Sequence, residues 1–310
     1  MGELVTAGET AYSPAMSSRS ASGFALPIGL LLIAMVSVQV GASAAKGLFP
    51  MVGAEGAAAL RLMLFAPIML VLWRPWRTRL DRTNVLPLLG YGLALGAMNL
   101  TFYLCLRTIP LGIAVALEFT GPLMVTVLHS RRWSDLIWIG LAVAGLLLLL
   151  PLNGLARPLD PTGMILALVA GGFWALYIVF GQKAGAEHGG AAVAFGGVIA
   201  ALLVAPFGIA HAGAALLSPA ILPTALVVAL MSSAIPYSCE MVALTRLPTQ
   251  TFGIMMSLEP AVAALSGFVF LHERLAPIQL LAILLVISAS LGAILTARAQ
   301  SRAPEPAPLI

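Results

Sequence analysis

Apolar runs of roughly 20 residues recur along this chain, separated by short connections that often hold Pro or Arg. A helix rising about 1.5 Å per residue crosses a hydrocarbon core of about 30 Å in about that many residues. The runs fall at 24–44, 55–73, 86–105, 110–129, 134–151, 162–181, 190–209, 221–243, 249–270 and 276–296, which predicts ten transmembrane helices. Membrane strands would instead alternate apolar and polar residues over about ten positions. Composition agrees: 60% of the 310 residues are apolar and 9% charged, against about 45–50% and 25% in soluble domains. The expected class is an all-α integral membrane protein.

The same pattern excludes other classes. A formal charge of +4 is scattered over short loops and forms no basic stripe, so no nucleic-acid partner is expected. Cys105 and Cys239 lie inside apolar runs without a CxxC or a His cluster, which points to packing residues and neither a disulfide nor a zinc site. Residues 1–23, rich in Ser, Ala, Gly and Thr, read as a disordered tail, and the Pro-rich 297–310 as another. The first span is too long to be a cleaved signal and is succeeded by further apolar spans, so it is expected in the mature protein.

Lys and Arg are unequal on the two sides of such a bundle. The side holding both ends carries Arg19, Arg74, Arg77, Arg79, Arg82, Arg131, Arg132, Lys183, Arg246, Arg298 and Arg302, eleven in all, and the other carries Lys46, Arg107, Arg157 and Arg274, four. Both termini are therefore expected in the cytoplasm.

The chain also repeats itself at an offset of 136 to 138 residues. Leu86-Pro87 matches Leu222-Pro223, Lys46 matches Lys183, and the stretch Ile109 to Pro122 (IPLGIAVALEFTGP) matches Leu247 to Pro260 (LPTQTFGIMMSLEP). Five spans per copy, 24–151 and 162–296, oblige the second to enter the membrane from the opposite side. The predicted architecture is a 5+5 inverted repeat, which exposes one central site alternately to either face. Chance likeness between apolar segments is the competing reading, and the shared Pro spacing opposes it.

Four charges fall within spans: Arg61, Glu118, Glu240 and Glu259. Each costs about 2.5–3.5 kcal/mol at mid-membrane, so together they approach the stability of a whole domain unless paired or facing water. Glu118 lies nearest a span centre. Pro122, one turn on, cannot donate to the Glu118 carbonyl and opens the helix beside the acid. Proton exchange at Glu118 and Glu259 is the functional expectation, with Glu118 also a candidate to bind a substrate ammonium; the bland readings are an ion pair of Glu118 with Arg61 or another cation and a kink-bracing role for Glu259. Glu259 precedes Pro260 but falls opposite Gly121 in register, so the two acids share a setting and not a symmetry position. Glu240 is near enough to a helix end to snorkel. Arg61 could receive a carboxylate bidentately or pair with Glu118 or Glu259 to hold the bundle. Lys46 and Lys183, at matched helix ends, are expected to reach headgroups.

Asn99 and Tyr103 share a helix face at i and i+4, as do Gln39 and Ser43. Trp174, Tyr177 and Tyr237 add aromatic and hydroxyl groups. Together these could line a polar chamber for a substrate, although each alone fits a helix-to-helix contact. Gly and Ala throughout allow close helix approach. There is no GxSxG, HExxH or phosphate-binding loop, and His129, His188, His211 and His272 lie at span ends or in loops without metal spacing. No catalytic residue, metal or cofactor is expected. A membrane-embedded enzyme or receptor would need acids and bases grouped toward one leaflet, and these are dispersed.

The strings QVGASAAKGLFPMVGA (39–54), PLGIAVALEFTGPL (110–123), QKAGAEHG (182–189) and PYSCEMVALTRLPTQTFG (236–253) resemble the EamA family of the drug/metabolite transporter superfamily. The likeness covers about 26–296 and neither tail. One departure is His272, where the superfamily commonly has Gly. The resemblance implies a ten-helix exporter of the bacterial cytoplasmic membrane, moving threonine, homoserine and related small amino acids outward by proton antiport, as a monomer or homodimer among membrane lipid. Its superfamily places the substrate chamber between the halves, which here implicates the helices bearing Gln39, Asn99, Tyr103, Glu118, Trp174, Tyr177, Tyr237 and Glu259. Aromatic amino acids, cysteine metabolites, nucleosides or cationic drugs are the alternative cargoes of the same fold.

Overall fold

Among residues 22–77, 85–128, 135–149, 159–246 and 255–301, which the computed structural model describes, all regular structure is helical. Most of both predicted tails, Leu247-Pro248, and Arg79, Arg82, Arg131, Arg132, Arg157 and His129 lie outside the described residues.

The helices are α1 (Ser22–Lys46), α2 (Phe49–Trp73), α3 (Val85–Cys105), α4 (Leu111–Glu118), α5 (Thr120–Leu128), α6 (Asp135–Leu149), α7 (Pro161–His188), α8 (Gly190–Ala212), α9 (Leu222–Ala229), α10 (Ile235–Arg246), α11 (Glu259–Leu271) and α12 (Pro277–Ser301). Among the described residues, six stretches are long and apolar enough to cross a membrane: Leu26–Lys46, Phe49–Trp73, Val85–Cys105, Pro161–His188, Gly190–Leu217 and Leu222–Glu240. Shorter apolar helices occupy Leu111–Val125, Glu259–Leu271 and Pro277–Ala289. The last helix runs on to Ser301, into the predicted tail, because Ala297 to Gln300 are good helix formers and the first Pro is Pro304.

Proline placement explains why three predicted spans are interrupted. A Pro removes the bond to the carbonyl four residues before it. Pro122 does this to Glu118, where α4 ends and α5 begins after Phe119. Pro236 does it to Ser232, inside the wide π turn Leu230–Ala234 that joins α9 to α10. Pro260 instead sits in the first turn of α11, where a missing N–H is harmless, and so starts that helix. Gly53, at φ 70°, kinks α2 near its start. Asp160 caps α7, accepting from the N–H groups of Thr162 (3.1 Å) and Gly163 (3.3 Å). Thr108 and these two N–H groups hold its carboxyl below the usual carboxylate range.

The core forms around α2, whose Ala57, Ala58 and Ala59 are fully buried. It packs on α8, α3 and α9, while α3 packs on α7 and α8, α1 on α10 and α11, α4 on α11 and α7, and α6 on α12. Lipid supplies no hydrophobic drive between helices, so close packing of small residues must hold them. Two approaches admit only Gly and set the position of Glu118. A Cβ on Gly112 of α4 would lie 2.6 Å from Ala264 Cα of α11, and one on Gly171 of α7 would lie 2.6 Å from the Glu118 carbonyl oxygen.

Candidate functional site

Arg61, Glu118 and Glu259 are the charged side chains at least nine-tenths buried among the described residues. They come from α2, the end of α4 and the start of α11. Arg61 is anchored on the π turn: Nε donates to Ser233 Oγ at 2.8 Å and a terminal nitrogen to the Ser232 carbonyl at 2.5 Å. That carbonyl is the one Pro236 frees, so the helical defect supplies the acceptor. The other terminal nitrogen lies 3.5 Å from the Tyr103 hydroxyl, and the guanidinium carbon stands 5.5 Å from the Tyr103 ring centroid.

Glu118 lies in electrostatic reach of both Glu259 and Arg61. It forms no ion pair with Arg61: the ion pairs among the described residues are Lys46–Glu273, Arg107–Glu55 and His211–Glu55. Gln39 Nε2 donates to Glu259 Oε1 at 3.3 Å, and the Ser43 hydroxyl bonds back to the Gln39 carbonyl at 2.9 Å. Asn99 Nδ2 donates to the Leu95 carbonyl at 2.8 Å, and its side chain lies beside the Tyr237 hydroxyl. Tyr237 also packs on Phe65, with ring centroids 5.5 Å apart. Phe119, in the gap between α4 and α5, meets Trp174 edge-on at 5.4 Å. The structure thus brings Arg61, Tyr103, Asn99, Tyr237, Glu118, Glu259 and Gln39 into one chain of neighbours. Tyr177 stacks on Tyr91 at 4.9 Å, with Glu240 in electrostatic reach of both.

Three groups at this site are not evident from the sequence: Ser232, Ser233 and Tyr91. Pro236 is the available signal for Ser232, since it names the carbonyl it frees. Lys46 differs from its expected role at the headgroups. Its Nζ lies 2.7 Å from Glu273 Oε1, while Glu273 Oε2 accepts from the Leu111 N–H at the start of α4 at 2.8 Å. One carboxylate there ties the ends of α1 and α4 to the connection after α11. His272 closes α11 at φ 54°, the left-handed cap that Gly adopts without strain.

An apolar groove of about 710 Å³ opens elsewhere, between α2 and α10, lined by residues such as Pro67, Val71, Ile235 and Cys239. Among the described residues no His, Cys, Asp or Glu cluster could hold a metal ion. Arg61, Glu118 and Glu259 on separate broken or bulged helices offer charge recognition, and no nucleophile is set beside a base.

The EamA-like transporter family model matches residues 161–295. The chain is 56% identical to the threonine/homoserine exporter RhtA of Escherichia coli (strain K12) over 280 residues, 90% of this chain and 95% of that one. It is 58% identical to threonine/homoserine exporter RhtA of Salmonella typhimurium (strain LT2) over 273 residues, 88% and 92% of the two chains. A crystal structure sharing 16% identity superposes with a TM-score of 0.58, covering 88% of this chain and 98% of that one, which bears on fold alone. With six helices able to cross a membrane and curated relatives matched over nine-tenths of its length, the chain is a multi-pass membrane protein of the EamA-like transporter family.

Proposed function

We propose that this protein exports threonine, homoserine and related small amino acids across the bacterial inner membrane by proton antiport. Its relatives are threonine/homoserine exporters, which supports the cargo. The observation that carries the mechanism is the charge at least nine-tenths buried among the described residues, one fixed cation at Arg61 against two carboxylates, Glu118 and Glu259, with Glu240 only half-buried. A zwitterion adds no net charge to that set, and one proton brings it to zero. Arg61 receives the substrate carboxylate, Gln39, Asn99, Tyr103, Trp174, Tyr177 and Tyr237 contribute polar and aromatic contacts, and Glu118 and Glu259 are the groups across which the proton exchanges. Exporting a neutral amino acid for one proton moves one charge inward, worth about 2.3 kcal/mol per 100 mV. That supports a gradient of about fiftyfold without ATP.

Alternating access is assigned to two oppositely inserted five-span halves with both termini in the cytoplasm. The pairing of helices supports this. Exchanging the halves turns the α3–α7 contact into the contact of α1 with α10, turns α3–α8 into α2–α9, and returns α2–α8 and α6–α12 to themselves. The three ion pairs then gather at the outer face. Counterflow of labelled threonine into proteoliposomes tests the cargo: exchange at millimolar threonine is expected, and none would remove threonine from the proposal. Labelling of engineered terminal cysteines tests the topology, which fails if the two ends react from different faces.

A further inference from the structure

Two buried acceptor atoms at the contact of Gln39 with Glu259, between α1 and α11, have no donor among the described residues. Gln39 is 2% exposed and Glu259 8%. Their mutual bond uses Gln39 Nε2 and Glu259 Oε1, and it leaves Gln39 Oε1 and Glu259 Oε2 without a partner. A buried polar atom without a partner is destabilising, and native proteins keep few of them. A group that satisfied both would have to donate at least twice and, facing a carboxylate, would be favoured by positive charge. A primary ammonium has three N–H donors and that charge, while a hydroxyl has one donor and none. The protein's own nearby cations are committed elsewhere: Arg61 to Ser233, the Ser232 carbonyl and Tyr103, and Lys46 to Glu273.

We infer that Gln39 Oε1 and Glu259 Oε2 form the subsite for the ammonium group of the transported molecule. This rests on the export reading above and divides its labour: Arg61 takes the carboxylate end, Glu259 with Gln39 the ammonium end, and Glu118 is left to the proton. It also sets the ligand class. Primary amines fit, and quaternary amines, which have no N–H, do not.

Competition binding to the purified full-length protein tests the subsite with three probes. Threonine carries both charged ends, threoninol lacks the carboxylate, and 2,3-dihydroxybutanoate has a hydroxyl in place of the ammonium. A charge-assisted hydrogen bond lost to a hydroxyl corresponds to about tenfold or more in affinity. The wild type is expected to favour threonine over the dihydroxy acid by at least that factor. In Glu259→Gln, and to a smaller degree in Gln39→Leu, that preference should collapse while the preference for threonine over threoninol persists. Ratios within one variant are read, so a general loss of affinity does not imitate the result. If Glu259→Gln binds no probe, Gln39→Leu decides alone. An unchanged ratio between threonine and the dihydroxy acid overturns the subsite and leaves export standing; a wild type that binds no primary amine overturns both.

Discussion

The two Pro-framed segments each carry one acid and place it differently against the second Pro. In the first, the Pro lies four residues after the acid, so it breaks the helix there and leaves Glu118 at a C-terminal end. In the second, the Pro lies directly after the acid, so it begins the helix and leaves Glu259 at an N-terminal end. A shift of three residues between the two segments decides on which side of each acid its helix lies. The backbone of Glu118 presses on Gly171 and its side chain is in reach of Arg61, whereas Glu259 has Gln39 against it. Two similarly framed segments thereby give two sites that need not do the same work.

The most severe test of that division replaces one acid at a time. Glu118→Gln should reduce pH-driven export in proteoliposomes to background while threonine counterflow, which needs no net proton movement, continues. Glu259→Gln should weaken counterflow itself. Identical behaviour of the two variants would erase the distinction between the helices, and export by Glu118→Gln that still tracks an imposed pH gradient would remove its proton role.

Next in size is Arg61→Lys. Lys keeps the charge but cannot reproduce the fork that meets Ser233 and the Ser232 carbonyl together. Threonine affinity should fall by about tenfold to a hundredfold, the equivalent of one charge-assisted hydrogen bond, while threoninol affinity changes little. An equal fall for both probes would show that Arg61 braces the bundle and does not receive the carboxylate.

Legibility in the residues is a matter of range. Span positions and the misfit of Arg61, Glu118 and Glu259 in lipid depend on windows of about 20 residues. Some helix breaks are legible where a Pro names the carbonyl it frees, as Pro122 does for Glu118, whereas α2 and α8 continue through Pro67 and Pro206. The partners are not, because they come from far along the chain. Arg61 meets Ser233 across 172 residues, Gln39 meets Glu259 across 220, and Lys46 meets Glu273 across 227. For Lys46, a local reading sees a cation at a helix end and sends it to headgroups. Only packing of α1 beside α11 presents the carboxylate that takes it instead.

Gly171→Ala sharpens the comparison through packing, since Gly171 supports Glu118 and has no counterpart at Glu259. The added methyl would meet the Glu118 backbone carbonyl oxygen at 2.6 Å. Overpacking of this kind costs about 1–3 kcal/mol and should lower the thermal midpoint in detergent. Gly172→Ala, where a Cβ finds nothing within 4 Å, is the control and should leave the midpoint unchanged or slightly higher. Equal effects at the two positions would mean that α7 can shift away and that Glu118 is not held by this contact.

His272→Gly acts on the other helix alone. His272 closes α11 in the left-handed conformation, at φ 54°, which disfavours any residue with a Cβ by about 1–2 kcal/mol. Gly removes that strain but gains freedom in the unfolded chain, so the net stabilisation should be about 1 kcal/mol or less. The expected readouts are a slightly higher thermal midpoint and slower amide exchange in the last turn of α11, where the His272 N–H bonds to the Gly267 carbonyl. Exchange in α4 should not change. If α4 is protected to the same degree, the Gly112–Ala264 contact transmits stability between the two broken helices, and they act as one unit despite their opposite ends.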